Sequence, residues 1–513
     1  MKLLYLFPLS ILFKILFFSN YVFCASHSKE EWKSRSIYQI LTDRFALTND
    51  NDKIQCSALN VYCGGTFQGI IKHLDYIKGM GFDAIWISPP LKNRQDSFHG
   101  YHIIDINSIN EHFGTAQDLK DLIKACHEKD IWVILDAVPN HMAWGLDIST
   151  FIPFNKDEYY HTYFTECNKK DELKYNSTLN ENCSIYGLPD LKQENEYVNK
   201  TLIEWLKNTI KTYDFDGVRY ADVPNVPKWF WGNFTVAANT YTLGIVGVDS
   251  ADEDDVNFMV DYQNYMDGIG NYPLFHKIRE NFCSYDSKGK KKGSMIELNK
   301  FIQNLQTHFL EPQYMGIWLG NHDKERFLKQ CPQNISLINA ITFTFFFEGI
   351  PIFYYGDEQY FDGPNENEGH REMLFGKYDT NSEIYKLLKI INDVRKSEKI
   401  YDYDFVRRYH DNNHYVFTRG NVLICVGNGV DTPSNIVLYR HGFKEGDKLC
   451  NALALDDCVK VVNNEIQILL QGEPKIYVKQ TSANNGRSIT QSSKGYFLKE
   501  YSLCLFLILL IFM

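Results

Sequence analysis

Three polar segments of the chain contain residues that could carry acid–base or nucleophilic chemistry. The segment DAVPNH ends at His141, GVRYAD contains Arg219 and Asp222, and GNHDKERF contains His322 and Asp323. Histidines and carboxylates transfer protons, and a carboxylate can also attack an electrophilic carbon. Each segment ends or follows an apolar run, so we expect the ends of buried strands to present these side chains.

Seven short apolar runs predict the strands that position these residues. They alternate with amphipathic stretches that predict helices, such as those over 115–130 and 199–213. Such alternation over more than 300 residues predicts a (β/α)8 TIM barrel, in which chemistry lies at the carboxyl ends of the strands. The predicted strands are SIYQIL (36–41), FDAIWIS (82–88), IWVILDAV (131–138), FDGVRY (215–220), LGIVGV (243–248), GIWLGN (316–321) and IPIFYYG (350–356).

The barrel pattern is interrupted once and then replaced. The polar, cysteine-bearing stretch after the third strand is too long for a plain loop and predicts an inserted subdomain over 141–197. Alternating apolar residues separated by turns predict a C-terminal antiparallel β-sandwich over 396–480. The barrel itself is then expected in two parts, 26–140 and 198–395.

Both ends of the chain resemble targeting segments. Residues 1–25 combine Lys2 with an apolar run and small residues, which is typical of a secretory signal peptide; Lys14 interrupts the run and leaves an uncleaved anchor as the alternative. The apolar run 503–513 is too short to span a bilayer, and with the polar linker before it predicts a lipid-anchor attachment signal over 481–513. The alternative is a disordered tail. We therefore expect a secreted protein, GPI-anchored at the plasma membrane or cell wall.

Cysteines and glycosylation sequons fit the same compartment. Of the 12 cysteines, three close pairs predict local disulfides. The pairs are Cys56 with Cys63, Cys167 with Cys183, and Cys450 with Cys458, while the connectivity of Cys126, Cys283, Cys331 and Cys425 stays open. Five sequons predict glycosylation at Asn176, Asn182, Asn199, Asn233 and Asn334.

Composition excludes one class of partner. The net charge of −11 argues against nucleic-acid binding, which requires clustered lysines and arginines. The one basic run, over 288–293, is short and predicts a solvated loop. Aromatic residues make up 15% of the chain, which suits a sugar-stacking cleft and a large core equally well.

The ordered set of motifs resembles the α-amylase family of glycoside hydrolases, and the fungal secreted α-amylases most closely. Besides the three segments above, the resemblance rests on HGYHIIDINSINEHFGTAQDLK (99–120), GLPDL (187–191), SIYQILTDRFA (36–46) and CGGTFQGI (63–70). It extends over residues 33–478. The resemblance implies an enzyme that cleaves α-1,4-glucan with retention of configuration and uses three carboxylates to do so. It also implies a structural calcium ion bound to the barrel.

The resemblance assigns roles residue by residue. Asp323 matches the carboxylate that stabilises the transition state. Asn140 and Asp190 match side-chain ligands of the calcium ion, and the backbone carbonyl of Asn225 is expected to replace a histidine carbonyl there. Five further residues match side chains that contact the sugar or orient the nucleophile: Tyr101, His141, Arg219, His322 and Arg371.

Two of the three catalytic carboxylates depart from the family pattern. The nucleophile is expected two residues after Arg219, because alternate residues of a strand face the same way, but that position is Ala221. Asp222 follows one residue later and is expected to face away from the barrel mouth unless a bulge turns it. The general acid is expected after the fifth strand, where the chain has Val248 or, in a shifted register, Ser250.

Three hypotheses follow from this pattern. The chain binds or acts on α-glucan with impaired hydrolysis, or it is an active retaining hydrolase or transglycosylase that uses the shifted Asp222 as nucleophile. The third hypothesis is a structural or partner protein built on an amylase scaffold. The direction in which the Asp222 carboxylate points is the observation that bears most directly on the first two.

Overall fold

The computed structural model describes residues 27–480, except positions 55, 57 and 59 and the segments 162–174, 284–292, 364–368 and 430–432. The predicted signal peptide, the predicted anchor signal and Cys167 lie outside the described residues. Within the described part of the chain, no helix combines the length and the apolarity needed to cross a bilayer.

Eight parallel strands form a nearly closed barrel, which confirms the predicted fold class. Their order is β8-β7-β6-β5-β2-β1-β10-β9, and a bridge between Gly270 and Gly316 joins the two edges. The remaining pair, β3 and β4, is an antiparallel hairpin. The ten strands are β1 (Ile37–Ile40), β2 (Ala84–Ile87), β3 (Leu91–Asn93), β4 (Ile103–Ile109), β5 (Trp132–Ala137), β6 (Gly217–Tyr220), β7 (Tyr241–Gly244), β8 (Gly268–Ile269), β9 (Gly316–Trp318) and β10 (Ile350–Tyr354).

Two barrel strands differ from the sequence expectation. β7 ends at Gly244, whereas the apolar run continues to Val248. Val246 and Val248 are buried but do not belong to a strand. The apolar run therefore indicated burial, which the prediction took for a longer strand. β8 contains only Gly268 and Ile269 and has no apolar run to mark it. It is recognisable only through its pairing with β7.

Helices surround the barrel, and the two helices predicted over 115–130 and 199–213 form with slightly different ends. Apolar side chains at helical spacing face the barrel strands, as in Ala116–Glu128, where Leu119, Leu122, Ile123 and Cys126 are buried. The α-helices span Lys29–Trp32, Thr42–Phe45, Phe67–Lys72, Leu74–Gly79, Ala116–Glu128, Ser177–Asn180, Glu196–Tyr213, Lys228–Ala238, Glu253–Val260, Tyr272–Phe282, Met295–His308, Phe327–Gln330, Asn334–Phe346 and Glu383–Ser397.

The stretch between β5 and the helix Glu196–Tyr213 contains short helical turns and isolated bridges in its described residues. Bridges join His141 to Asp190 and Tyr160 to Leu191, so the end of this stretch returns to the carboxyl end of β5. This return brings Asp190 beside the residues that follow β5.

The C-terminal region is antiparallel, as expected. A six-stranded sheet (β11-β12-β13-β18-β15-β16) packs on the pair β14–β17 around its own apolar cluster. Its strands are β11 (Val406–His410), β12 (His414–Arg419), β13 (Val422–Gly427), β14 (Ser434–Leu438), β15 (Lys448–Asn451), β16 (Ala454–Lys460), β17 (Ile466–Leu470) and β18 (Lys475–Lys479).

The structure forms two of the predicted disulfides and one that the sequence left open. Cys56 is bonded to Cys63, Cys450 to Cys458, and Cys283 to Cys331 across 48 residues. Cys183 is disulfide-bonded, while Cys126 and Cys425 are buried free thiols.

The five sequon asparagines are not equally accessible. Asn176, Asn233 and Asn334 are exposed. Asn182 and Asn199 are partly buried, and their side-chain amides donate to Thr178 O and Gln193 O.

Candidate active site at the barrel mouth

A cavity of about 220 Å³ lies at the carboxyl ends of the barrel strands. This is where α/β barrels place their chemistry, because the loops that follow the strands converge there. The cavity brings together seven residues singled out from the sequence: Tyr101, His141, Arg219, Asp222, His322, Asp323 and Arg371. Its other lining residues, which the sequence did not single out as ligands, are His99, His102, Ile185, Tyr186, Leu188 and Ala221.

Arg219 is held in place by a buried carboxylate. Its Nη1 donates to Asp136 Oδ1 at 2.8 Å, and the other oxygen of Asp136 accepts from Tyr101 Oη at 2.5 Å and Trp86 Nε1 at 3.0 Å. Burial raises the pKa of Asp136 although Arg219 opposes this shift. Asp136 therefore orients both Arg219 and Tyr101, a role that sequence reasoning missed although Asp136 begins the DAVPNH segment.

A second group fixes the neighbouring pair His322 and Asp323. His322 Nε2 lies 3.3 Å from Asp323 Oδ1, and Gln39 Nε2 lies 2.6 Å from His322 Nδ1. Because an amide N–H only donates, this contact assigns the imidazole proton to Nε2, where it faces Asp323. Arg371 donates from Nε to His322 O at 2.8 Å, and its Nη2 lies 3.8 Å from Asp323 Oδ1.

The charges in this group keep Asp323 ionised. Burial raises the pKa of the Asp323 carboxyl, but His322, Arg219 and Arg371 outweigh burial and lower it below its ordinary value. Burial lowers the pKa of His322 to about 3, so the imidazole is neutral at physiological pH, and the positive charges that then act on Asp323 are those of Arg219 and Arg371. Asp323 thus offers a fixed negative charge to a cationic transition state.

The other imidazoles of the cavity are also neutral. Burial lowers the pKa of His99, His141 and His102, the last to about 4. A wall of neutral imidazoles beside Tyr101, which stacks on His322 with ring centroids 5.3 Å apart, can exchange hydrogen bonds with an uncharged hydroxyl-rich ligand.

Asp222 lines the cavity, because the chain has left the extended conformation on which the expectation that it faces away depended. The strand β6 ends at Tyr220, and Asp222 adopts a left-handed backbone with φ 52° and ψ 40° before the helical turn Val223–Asn225. Strand alternation therefore no longer sets its direction, and aspartate tolerates this conformation better than most residues. Its carboxylate lies 3.5 Å from His141 Nδ1 and is 30% exposed.

The loop between β7 and the helix Glu253–Val260 brings no carboxylate into the cavity. Val248 is buried, and its carbonyl accepts from His276 Nε2 at 3.0 Å. Ser250 Oγ donates to Asp255 at 2.6 Å, and Asp249 points to Lys324 at 3.3 Å. Among the described residues, the carboxylates that line the cavity are Asp222 and Asp323.

The residues predicted to bind calcium lie together beside the cavity. The end of the Asn140 side chain lies 2.9 Å from Asn225 O and 3.1 Å from Asp190 Oδ1. If the amide nitrogen of Asn140 occupies this position, it donates one hydrogen bond to Asn225 O and one to Asp190 Oδ1. If the amide oxygen occupies it, the oxygens of Asn140, Asn225 and Asp190 lie together, and a bound cation would stabilise that arrangement. Oxygen donors from an amide, a carboxylate and a backbone carbonyl suit Ca²⁺. The donor set therefore fits the expected ion.

The carboxylate of this group is itself perturbed. Burial raises the pKa of Asp190 to about 7, although His161 donates to its other oxygen at 2.7 Å and lowers it. A buried acid of this kind becomes a good ligand once a cation compensates its charge. In the described part of the chain, no group of three or more histidine, cysteine, aspartate and glutamate side chains could hold a metal ion, so a cation here would depend on the amide and the backbone oxygen.

Comparison with known proteins settles the family. The sequence profile of the alpha-amylase catalytic domain matches residues 39–401. The chain belongs to the alpha-amylase family. It is 33% identical to the alpha-amylase of Saccharomycopsis fibuligera, over 89% of this chain and 93% of the relative, and 32% identical to alpha-amylase 2 of Schwanniomyces occidentalis, over 90% and 93%.

Solved structures agree with this family assignment. The alpha-amylase of Malbranchea cinnamomea superposes with a TM-score of 0.81 at 30% identity, covering 90% of this chain and 99% of that protein. The alpha-amylase of Geobacillus thermoleovorans, solved in complex with acarbose, has a TM-score of 0.77 at 31% identity, covering 88% and 99%. The resemblance inferred from the motifs is confirmed.

Proposed function

We propose that this alpha-amylase-family protein binds α-1,4-glucan in the barrel-mouth cavity and hydrolyses it far more slowly than its active relatives do. The observation that carries the proposal is the set of carboxylates in the cavity. Asp323 lines the cavity, but the wall has Ala221 where the motif spacing expects a nucleophile, and the loop directly after β7 offers no acid.

The binding groups support the glucan half of this proposal. Tyr101 offers an aromatic face, and Arg219, Arg371 and the neutral imidazoles offer donors and acceptors in the cavity wall. Sugars present apolar ring faces and many neutral hydroxyls, which match such a wall. The acarbose complex of the Geobacillus relative is consistent with a ligand of this class.

The proposal that hydrolysis is slow follows from the two carboxylates that retaining hydrolysis requires. A nucleophile and a general acid must stand about 5 Å apart on the two sides of the scissile bond. Proton donation by a positioned acid contributes roughly 10²- to 10⁴-fold, and a misplaced nucleophile costs further orders of magnitude. Without an acid after β7, the leaving oxygen would depend on water for its proton.

One observation favours the alternative, an active enzyme that uses Asp222. The left-handed turn brings this carboxylate into the cavity wall beside His141, in the same cavity as Arg219 and Asp323. In this alternative Asp222 attacks the anomeric carbon, and the bond to the leaving oxygen breaks as that oxygen gains a proton. The alternative still lacks a placed donor for that proton.

We also propose a structural Ca²⁺ held by Asn140, Asp190 and the carbonyl of Asn225, and a secreted protein attached to the cell surface through its C-terminal segment. The convergent oxygens support the first proposal. Three disulfides among the described residues support an oxidising compartment. Bound calcium would tie the inserted stretch to the loops after β5 and β6.

The deciding experiment measures binding and turnover on one preparation. Purified protein with calcium is titrated with maltoheptaose by calorimetry and assayed for reducing sugar from soluble starch, beside the Saccharomycopsis relative. We expect binding that Tyr101→Ala abolishes, and turnover at least ~10³-fold below the relative. Turnover within about tenfold of the relative would favour the Asp222 enzyme. Absence of binding would favour a structural or partner role.

A further inference from the structure

The helix Lys228–Ala238 presents an uncharged face to solvent. It packs on the protein through Phe230, Trp231 and Phe234, which are fully buried. Its exposed residues are Trp229, Gly232, Asn233 and Val236. Residues three and four apart lie on the same side of a helix, so these four residues form one stripe, which we call the outer stripe.

The composition of the outer stripe is unusual for a helix that faces water. Trp229 is 49% exposed and Val236 is 78% exposed, and the one charged residue of the helix, Lys228, forms an ion pair with Asp261. The exposed face of such a helix is ordinarily charged or polar. The exposed charged residues of the neighbouring helix Glu196–Tyr213 include Lys200, Glu204, Lys207 and Lys211. An indole and a valine grouped on one exposed face suit contact with another group rather than with water alone.

Gly232 leaves a recess in the outer stripe between Trp229 and Val236. No atom of the described residues lies within 4 Å of the place that a Cβ at Gly232 would occupy, so packing does not require a glycine there. Glycine destabilises a helix relative to alanine, and it is used where a ligand approaches the backbone closely. The recess therefore indicates a flat group that lies against the helix at this position.

The sequon of the outer stripe supplies such a group. Asn233 begins the sequence Asn-Phe-Thr and is exposed, whereas the amides of Asn182 and Asn199 donate to backbone carbonyls. Trp229 lies four residues before Asn233, which places the two Cβ atoms about 5–6 Å apart. Side chains of a helix lean towards its N-terminus, so a group attached to Asn233 Nδ2 extends over Trp229 and the recess at Gly232.

We propose that Asn233 carries an N-linked glycan that folds back on the outer stripe, with its first N-acetylglucosamine ring packed on the indole of Trp229. The apolar face of a sugar ring stacks on an aromatic ring, while its hydroxyls stay in water. A neutral sugar also suits a stripe without charge. This inference rests on the proposed secretion of the protein, because N-glycans belong to secreted and surface chains. It is independent of glucan binding, because no residue of the outer stripe lines the barrel-mouth cavity.

The first test measures how accessible Trp229 is with and without the glycan. Wild type and Asn233→Gln, both secreted from a eukaryotic host, are oxidised with N-bromosuccinimide, and each tryptophan is followed by peptide mass spectrometry. We expect Trp229 to be oxidised about fivefold more slowly in the wild type than in the variant. Trp144, which is 45% exposed in the stretch after β5, is the internal control and should be oxidised equally in both.

Three results of this test would overturn the proposal. The first is equal oxidation of Trp229 in the two proteins. The second is a secreted wild type that carries a glycan on another sequon and none on Asn233. The third is protection of Trp229 in both proteins that is lost on dilution, which would show that a second copy of the chain covers the outer stripe.

A second test removes the indole and keeps the glycan. An endoglycosidase that cuts between the first two sugars should release the Asn233 glycan about threefold faster from Trp229→Ala than from the wild type, because the docked ring shields the bond. Trp229→Phe, which retains an aromatic ring, should fall between them, and melting temperatures measured alongside show that both variants are folded. Equal release from all three proteins would overturn the proposal.

The same preparations separate this proposal from those on which the function depends. Maltoheptaose titration should give the same affinity for the wild type, Asn233→Gln and Trp229→Ala, so loss of the glycan contact leaves the barrel-mouth proposal standing. A secreted chain without a glycan on any sequon would overturn the contact and count against the proposed compartment as well.

Discussion

The Asp222 carboxylate lies 3.5 Å from Nδ1 of His141, in the wall of the barrel-mouth cavity. The preceding residue, Ala221, is still in register with β5, because its N–H donates to Ala137 O. Asp222 comes one residue after the position at which the motif spacing expects an acid, and its left-handed backbone places it in the cavity wall. The Asp222 carboxylate therefore lies next to His141, whereas Arg219 forms its ion pair with Asp136.

Restoring both missing carboxylates should restore hydrolysis. Ala221→Asp places an acid two residues after Arg219 in the cavity wall, and Val248→Glu places one in the loop that follows β7; both positions are buried. We expect the double variant to release reducing sugar from starch at least ~10²-fold faster than the wild type, and each single variant to gain little, because nucleophile and acid act as a unit. Ala221→Asn with Val248→Gln is the matched control. Equal activity of the double variant and this control would contradict the argument.

Replacing Asp222 distinguishes a slow enzyme that uses this carboxylate from a protein that chiefly binds glucan. If the residual activity of the wild type uses Asp222, then Asp222→Asn should abolish it while maltoheptaose affinity stays within about threefold. If the protein is chiefly a binder, both quantities should change little. Single-turnover assays at high enzyme concentration can measure the residual rate, and an ester between a trapped glycosyl group and Asp222 would identify the nucleophile directly.

The positions of the apolar strands and the order of the motifs could be predicted from the sequence, whereas the local backbone conformation could not. The strands around Ile85, Val133 and Ile352 are buried on both faces, so their continuous apolar runs were enough to predict them. The alternation of side-chain direction along a strand did not apply to Asp222, because it holds only while the chain stays extended. No feature of the sequence indicated that Asp222 adopts a left-handed backbone.

Other features were invisible for different reasons. β8 has two residues and no pattern, and the partners Cys283 and Cys331 are too far apart in sequence for spacing to pair them. Tyr186 reaches the cavity through a left-handed turn in the inserted stretch. Each of these depends on tertiary geometry rather than on local composition.

Calcium removal should destabilise the protein through the Asn140–Asp190 group. Without a cation, the buried Asp190 carboxylate keeps only His161 as a positively charged partner and faces two further oxygens, so a chelator should lower the melting temperature by several degrees. Asn140→Ala should lower the melting temperature in calcium and make it insensitive to chelator. Asn208→Ala, at an exposed position of the helix Glu196–Tyr213 and outside any sequon, is the control and should respond to chelator as the wild type does. A chelator effect that survives in Asn140→Ala would place the ion elsewhere.

Tyr186 should contribute to glucan affinity without contributing to the fold. Its side chain is 78% exposed at the cavity edge, with a left-handed backbone at φ 51°, so it is positioned as an outer stacking surface for a sugar ring. Tyr186→Ala should weaken maltoheptaose binding about tenfold, while Tyr186→Phe should retain most of the affinity because the ring remains. Both variants should melt within about two degrees of the wild type. Equal affinity of the alanine variant and the wild type would remove Tyr186 from the binding surface.

A buried acid away from the cavity should make stability depend on pH. Burial raises the pKa of Glu358 from 4.5 to about 7, although Tyr38 and Tyr76 donate to its Oε1 at 2.7 Å and 2.9 Å. The folded state therefore holds this proton more tightly than the unfolded state. The stability linked to Glu358 is fully present below pH 4.5, is lost as the pH rises through about 7, and is constant above that, a total of about 3 kcal/mol.

Replacing this acid should remove that pH dependence. Glu358→Gln cannot ionise, so its stability relative to the wild type should increase by up to about 3 kcal/mol between pH 5 and pH 8, whatever constant cost the substitution carries. Urea unfolding at several pH values measures the difference. Glu128→Gln, on the exposed end of a helix, is the control and should follow the wild type. A Glu358→Gln curve parallel to the wild type across this range would show that Glu358 titrates alike in the folded and unfolded states.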